Sequence, residues 1–317
     1  MPSEAKIFSG RSNPDLAAEI ASYLELPLGK VNIKNFSDGE IFIKFEENIR
    51  GADIFIVQST NPPALNILEL LIMLDAAKRA SAKRITAVIP YYGYCRQDRK
   101  DRPRVPITAK LVADLITVAG ANRILTMDLH APQIQGFFNI PFDHLYSSMV
   151  LVEHCRFNFP EKDWVILSPD VGSIKIARAY ARRLSADLAI IDKRRPEPNV
   201  AEIYNVIGDV KDRDILIIDD MVDTGGTLIT AAEAVKKEGA NKIYASCTHP
   251  VLSGDSVRRI ESSSIEKLTV TNTLKIPEEK LFKKLDVVSV AMIFGEAIKR
   301  INSEESISAL FKEYDYR

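Results

Sequence analysis

Residues 214–227 read Asp-Ile-Leu-Ile-Ile-Asp-Asp-Met-Val-Asp-Thr-Gly-Gly-Thr, and the residue types in this stretch suit a grip on a phosphorylated polyol. Asp219 and Asp220 offer acceptors for a diol or for water on a metal, and Asp223 adds a further carboxylate. Thr224, Gly225, Gly226 and Thr227 follow. Glycine tolerates tight, left-handed backbone, so successive N–H groups can converge on an anion. The helical run at 228–238 adds the partial positive charge of a helix start. Threonine and glycine are also common in plain turns and helix caps. Crowded acids repel one another, however, and that repulsion is tolerated mainly where a ligand or metal offsets it.

Four other stretches carry candidate chemistry. After an apolar run, Tyr91-Tyr92-Gly93-Tyr94-Cys95-Arg96-Gln97 leads into a loop with five cations between Arg96 and Arg104. Arginine forks to phosphate oxygens and stacks on planar rings, so a nucleotide polyphosphate or an inorganic anion is the natural guest. The plainer alternative is a solvated loop partly neutralised by Asp98 and Asp101. Asp128 and His130 alternate beyond another apolar run, a placement open to either a structural or a metal-proximal histidine. Asp170 heads a small-residue turn, Asp170-Val171-Gly172-Ser173, which reads equally as an N-cap. Residues 192–199 hold Lys193, Arg194 and Arg195 among two prolines, which argue against helix; on its own the stretch reads as a plain surface loop, and beside the other candidates as a basic loop able to close over transferring phosphates. Finally, Asn35-Phe36-Ser37-Asp38-Gly39-Glu40 reads as a hairpin turn. The chain holds neither a Gly-x-x-x-x-Gly-Lys-Ser/Thr loop nor a Gly-x-Gly-x-x-Gly fingerprint.

The elements that must position these residues alternate between strand and helix patterns. Strands are expected at 6–9, 41–45, 53–58, 84–90 and 123–127, then at 164–168, 188–192, 215–219, 242–247, 267–271 and 287–290. Helices are expected at 14–24, 64–80, 107–119, 147–157, 174–184, 228–238 and 295–301. This βαβ alternation predicts open, mostly parallel sheets. In such sheets ligands bind beyond the carboxyl ends of the strands, where the candidate residues fall. Ile124-Leu-Thr-Met-Asp resembles Ile215-Leu-Ile-Ile-Asp, so two related domains are expected, with a site between them. The expected ranges are 1–146 and 147–303, followed by a segment at 304–317 packing on the first domain.

With 317 residues and 46% hydrophobic content, the chain is long enough for two cores. Lys+Arg 42 against Asp+Glu 43 leaves a net charge of −1, which argues against nucleic acid or an anionic membrane as partner. No apolar run approaches the ~20 residues of a membrane span, and the first residues lack a signal-peptide core. Cys95, Cys155 and Cys247 are widely spaced and odd in number, so a reducing, cytoplasmic location is expected.

Together these motifs resemble the ribose-phosphate pyrophosphokinase family, the phosphoribosyl pyrophosphate synthetases. The likeness runs essentially end to end. It passes through Lys6-Ile-Phe-Ser-Gly10, Phe36-Ser-Asp-Gly-Glu40, Arg96-Gln-Asp-Arg-Lys100, Met127-Asp-Leu-His-Ala131, Gln133-Ile-Gln-Gly-Phe-Phe138 and Ser168-Pro-Asp170. It continues through Gly208-Asp-Val-Lys-Asp-Arg213, Asp219-Asp-Met-Val-Asp-Thr-Gly-Gly-Thr227 and Val270-Thr-Asn-Thr273. The acid–glycine turn alone points only to the wider phosphoribosyltransferase group.

The resemblance implies an α/β fold of two similar type I phosphoribosyltransferase-like domains, each a mostly parallel sheet flanked by helices. It implies transfer of a diphosphoryl group from Mg-ATP to the anomeric hydroxyl of ribose 5-phosphate. On that likeness Asp223, Thr224, Gly225, Gly226 and Thr227 cradle the 5-phosphate, while Asp219 and Asp220 hold ribose hydroxyls. Arg96 and Gln97 contact ATP, with Phe36, Asp38, Gly39 and Glu40 lining the adenine side from a neighbouring subunit. His130 and Asp170 sit on Mg2+, His130 also touching ATP, and Lys193 and Arg195 belong to the catalytic loop, Arg195 also serving ribose 5-phosphate. A homo-oligomer of dimers building a hexamer is implied, with Ser81, Arg104, Gln135, Ser306 and Ser308 compatible with an allosteric anion site. The chain departs from the family pattern at Asn48 and Pro132, which leaves its response to phosphate open, and at Ser173, a bulkier residue than usual in the diphosphate turn. Two other readings are a phosphoribosyltransferase acting with a base, and a catalytically silent regulatory subunit. The first leaves the Arg96–Arg104 loop and His130 unused, and the second leaves Lys193, Arg195, His130 and the 219–227 stretch unexplained.

Overall fold

The computed structural model describes residues 4–158, 164–194 and 203–311. They divide into two compact units. The first holds the described residues up to Tyr146 together with Thr273–Lys275 and those from Ser289 onward. The second holds those of Ser147–Asn272 and Ile276–Val288.

In the first unit the elements run β1 (Ala5–Ser9), α1 (Pro14–Tyr23), β2 (Val31–Asn35), β3 (Ile41–Phe45), β4 (Asp53–Val57), α2 (Leu65–Arg79), β5 (Arg84–Ile89), α3 (Thr108–Ala119), β6 (Arg123–Met127) and β7 (Phe142–Leu145). A parallel five-stranded sheet has the order β1-β4-β5-β6-β7. Every residue of β4 is buried, as expected of a parallel strand covered on both faces. Asn13 caps α1 by accepting the Leu16 N–H at 3.4 Å, with Pro14 pre-set for the first turn. β2 and β3 form a separate antiparallel hairpin.

In the second unit α4 (Ser148–Asn158), β8 (Trp164–Ser168), α5 (Ile174–Leu184), β9 (Asp187–Arg194), β10 (Ile203–Ile207) and β11 (Asp214–Val222) come first. Then follow α6 (Gly226–Lys237), β12 (Ile243–Pro250), α7 (Ser256–Glu261), β13 (Lys267–Thr271) and β14 (Leu285–Val288). The sheet order is β10-β9-β8-β11-β12-β13-β14, parallel throughout except for β10 against β9. One layer of its core gathers Val165, Leu167, Ile215, Ile217, Leu228 and Val235, and the other gathers Leu151, Ile166, Tyr180, Leu216 and Ile218. Odd and even residues of β11 thus face opposite sides of the sheet, each side covered by helices.

A last helix, α8 (Ala291–Asn302), belongs to the first unit, which corrects the expected second-domain limit of 303. Its packing explains why. Gly295 meets α1 so closely that a Cβ would lie 2.3 Å from the Tyr23 ring, so only glycine admits this approach. At the end of α8, the Ile301 carbonyl accepts from Arg84 at 2.8 Å and Asn302 donates to the buried Asp53 at 3.1 Å. The helix also begins at 291 rather than 295, with Gly295 inside it.

Candidate functional site

β11 is longer than its apolar run. Beyond Ile218 it stays paired with β12 through Asp219↔Cys247, Met221↔His249 and Val222↔Pro250. Asp219 and Asp220 therefore lie within the strand, and the turn proper begins at Asp223. This corrects the expected strand end at 219: pairing with β12 continues past the apolar run as far as Val222. The two carboxylates lie close enough for each other's charge and hydrogen bonding to act on Asp219.

The turn is tightly determined. Gly225 has φ +74°, the left-handed region, and a Cβ there would meet Ile260 at 3.1 and 3.2 Å. Its carbonyl accepts the Ile229 N–H at 3.0 Å, opening α6. The carbonyls of Val222 and Asp223 accept from the Leu252 and Ser253 amides, each at 3.0 Å. Thr224 and Thr227 are exposed at the mouth, with Gly226 at the first helical position. The first N–H groups of a helix have no intrahelical partner, so α6 turns donors and a positive dipole end to this turn.

Asp219 has its pKa raised well above the ordinary carboxylate value, first by burial and then by the neighbouring Asp220 charge, with Asp170 adding to the effect. Opposing them, the Ser173 hydroxyl donates to Asp219 Oδ1 at 2.8 Å. The Asp220 N–H donates to the same oxygen at 2.9 Å. Ser173 also donates its backbone N–H to Asp170 Oδ1 at 3.0 Å, tying β8's exit turn to β11. The sequence marked Ser173 only as bulkier than expected; its role as the anchor of Asp219 emerges from the fold. Beneath the acids, the fully buried Cys247 thiol is pushed up by burial and by both aspartates, so it stays protonated and inert. Cys95 and Cys155 are likewise buried and take part in no disulfide among the described residues.

The phosphate-facing candidates of the first unit occupy three segments. Phe36 is half exposed at the hairpin tip, its ring edge-on to Phe42 at 5.7 Å. Asp38 accepts the Glu40 N–H at 3.0 Å, and Gly39 sits at the turn with φ +97°. The Arg96 loop is exposed, as are Gln97, Arg99, Lys100, Arg102 and Arg104. Gln97 is bound to the start of α3, accepting from the Thr108 hydroxyl at 2.5 Å and from the Ala109 N–H at 3.2 Å. The expected aromatic partners need correction: Tyr91 and Tyr92 are buried core residues, and the Tyr92 hydroxyl donates to the Ala109 carbonyl at 2.8 Å. Both rings are withdrawn from solvent, leaving Tyr94 as the exposed ring of that stretch. Asp128 is buried with φ +36°, and His130 is exposed two residues on.

Of the other expected residues, Asp170 is exposed after β8. Lys193 pairs with Tyr204 in the β9–β10 ladder, so its backbone belongs to a strand instead of the expected loop. Arg195 lies outside the described residues. Ser306 and Ser308 share a 2.8 Å hydroxyl hydrogen bond, while Ser81, Arg104 and Gln135 sit in three other segments of the first unit. Among the described residues no direct hydrogen bond joins Ser81, Arg104 or Gln135 to that serine pair. Among the described residues no helix is long and apolar enough to cross a membrane.

A parallel sheet whose central strand delivers paired acids beside a glycine turn and a helix start defines an α/β protein built to bind a phosphate-bearing ligand. Two family models match the chain: the N-terminal domain of ribose phosphate pyrophosphokinase over residues 5–120, and the phosphoribosyl synthetase-associated domain over 195–312. A ribose-phosphate pyrophosphokinase of Chlorobaculum tepidum is 59% identical over 311 residues, 98% of this chain and 96% of the relative. One of Clostridium perfringens is 56% identical over 315 residues, 97% of this chain and 98% of the relative. The crystal structure of phosphoribosylpyrophosphate synthetase from Mycobacterium smegmatis superposes with a TM-score of 0.90 at 40% identity, covering 95% of this chain and 99% of that one. The chain belongs to the ribose-phosphate pyrophosphokinase family.

Proposed function

We propose that the protein transfers the β,γ-diphosphoryl group of Mg-ATP to the anomeric hydroxyl of D-ribose 5-phosphate. The products are AMP and 5-phospho-α-D-ribose 1-diphosphate, a precursor for nucleotide biosynthesis. The observation that carries this reading is the acid–glycine turn at the end of β11 in a chain 59% identical to a ribose-phosphate pyrophosphokinase over nearly its whole length.

Diphosphoryl transfer needs an in-line hydroxyl, charge neutralisation and exclusion of water more than covalent catalysis. Asp223, Thr224, Gly225, Gly226 and Thr227 are assigned to the 5-phosphate, and Asp219 with Asp220 to the ribose hydroxyls. Arg96, Gln97 and His130 are assigned to ATP, and Phe36, Asp38, Gly39 and Glu40 to the adenine side of a neighbouring subunit. The half-exposed Phe36 ring supports that assignment, because an isolated hairpin tip offers its aromatic face to a partner. Lys193 and Arg195 are assigned to the charge developing on the leaving AMP.

The donor chemistry fits Mg2+. Asp170 and Asp220 both act on the charge of Asp219, yet among the described residues no three acid, imidazole or thiol groups make a ready metal shell. Mg2+ uses few carboxylates, keeps several waters and takes the rest of its oxygens from substrate phosphates. His130 and Asp170 are the assigned protein contacts, and the ion, when bound, screens the polyphosphate charge. We further assign a cytoplasmic homo-oligomer, dimers assembling to a hexamer, with Ser81, Arg104, Gln135, Ser306 and Ser308 as an allosteric anion site.

The test is AMP formation from ATP with the purified protein. It is expected to depend on both ribose 5-phosphate and Mg2+; ATP turnover indifferent to ribose 5-phosphate refutes the reading, and base-dependent loss of phosphoribosyl pyrophosphate favours a transferase instead.

A further inference from the structure

The glycine turn rests on a short helix that the sequence pattern did not reveal. α7 packs its buried Ile260 directly against Gly225, and the segment leading into it donates the Leu252 and Ser253 amides to the carbonyls of Val222 and Asp223. Arg259, the neighbour of Ile260, then reaches back across the turn: its Nη1 donates to the Thr224 carbonyl at 3.0 Å. Its Nη2 lies 3.9 Å from the point a Cβ on Gly226 would occupy, beside the first residue of α6. Arg258 is engaged differently, with Asp255 at 2.9 Å. Among the described residues no carboxylate pairs with Arg259.

We propose that Arg259 is a positioning residue of the sugar-phosphate turn, fixing the Thr224–Gly225 peptide so that its N–H faces a phosphate monoester. In a trans peptide the carbonyl and the N–H point in opposite directions. Holding the Thr224 oxygen on the α7 side therefore aims the Gly225 N–H to the other side of the turn. A turn containing glycine has several backbone orientations open to it, and a pinned carbonyl removes most of them before the ligand arrives. The guanidinium also leaves an uncompensated positive charge next to the helix start, which adds to the dipole there. Arginine suits both tasks, because its rigid fork keeps one nitrogen on the carbonyl while the second flanks the turn.

This inference rests on the assignment of the turn to the 5-phosphate, and its test separates the two. Wild type, Arg259→Gln and Arg259→Lys are compared for KM of ribose 5-phosphate, KM of ATP, kcat, thermal midpoint, and calorimetric binding of ribose 5-phosphate and inorganic phosphate. Arg259→Gln is expected to raise the ribose 5-phosphate KM about tenfold, the loss typical of a hydrogen bond from a charged donor. The ATP KM and the thermal midpoint stay put, and Arg259→Lys recovers part of the loss. An unchanged ribose 5-phosphate KM overturns the inference. So does a parallel rise of both KM values with a lowered midpoint, which marks a purely structural brace. If the wild type makes no AMP with ribose 5-phosphate, the proposed function fails. The inference then stands or falls on whether Arg259→Gln weakens phosphate binding, equal affinity overturning it.

Discussion

Gly225→Ala isolates what the turn demands of its backbone. Gly225 has φ +74°, where a Cβ crowds the following carbonyl at a cost of about 1–2 kcal/mol. The new methyl would also lie 3.1 Å from Ile260 Cγ1, 3.2 Å from Ile260 Cδ1 and 3.5 Å from Ile229 Cδ1. Ile260 is fully buried, so it yields only by shifting α7, an overpacking cost near the lower end of ~1–3 kcal/mol. The sum is roughly 2–3 kcal/mol, a large share of the ~5–15 kcal/mol that holds a domain together. Trp164 is the only tryptophan of the chain, and it starts β8 in the same unit, its ring 5.5 Å from that of Tyr244. Its fluorescence during denaturant unfolding therefore reports on this unit. Gly226→Ala is the internal control. No positive φ constrains that position, and its nearest foreign atoms lie at 3.7 and 3.9 Å. Its unfolding free energy should stay within about 0.5 kcal/mol of wild type. If Gly225→Ala unfolds at the wild-type denaturant concentration, or if Gly226→Ala loses as much, the conformational argument is wrong.

Three shorter predictions test the surroundings. Ser173→Ala removes the 2.8 Å hydroxyl bond to Asp219 while leaving the Asp220 amide in place, so the ribose 5-phosphate KM should rise about tenfold with the ATP KM unmoved. Equal KM values for both proteins would remove Ser173 from the site. Asp219 has a raised folded-state pKa, so between its unfolded and folded values the native chain binds the extra proton and stability falls as pH rises; the penalty is full above the raised value. Asp219→Asn should therefore be more stable than wild type at neutral pH, the gap narrowing as pH falls and closing below about pH 3, where folded and unfolded Asp219 are both protonated; a gap independent of pH contradicts this. Arg84→Ala should destabilise the first unit by about 3 kcal/mol, because Asp53 is 1% exposed and would keep only Asn302 as a side-chain partner; denaturant melts within 1 kcal/mol of wild type would refute it.

Where burial and backbone pairing follow the apolar pattern, the sequence is legible. Ile215–Ile218, Trp164–Ser168 and Lys267–Thr271 read as strands because both faces of their sheet are covered, leaving continuous apolar runs. The reading fails where tertiary partners replace that pattern. β7 carries Asp143 and His144 in only four residues, and it holds the sheet edge through the 2.5 Å Arg123–Asp143 pair, a contact between positions 20 residues apart. β2 escapes notice because its partner is β3 alone, in a hairpin whose strands bury no residue fully. β10 is an edge strand that exists by pairing antiparallel with the extension of β9.

The candidate site shows the same division. Its acids and glycines were legible because their chemistry is local to residues 219–227. Its supports were not, because Ser173 acts on Asp219 across 46 positions and Arg259 on Thr224 across 35. α7 spans six residues without an apolar stripe, so nothing in its own pattern marks it as a helix. It packs a buried isoleucine against a left-handed glycine, a contact that only the folded chain brings about. A turn that must present bare amides to an anion cannot stabilise itself through those same amides, so its rigidity has to be supplied from behind by elements distant in sequence. That requirement explains why the residues expected to touch ligand stand out in the chain, while those that hold them in place do not.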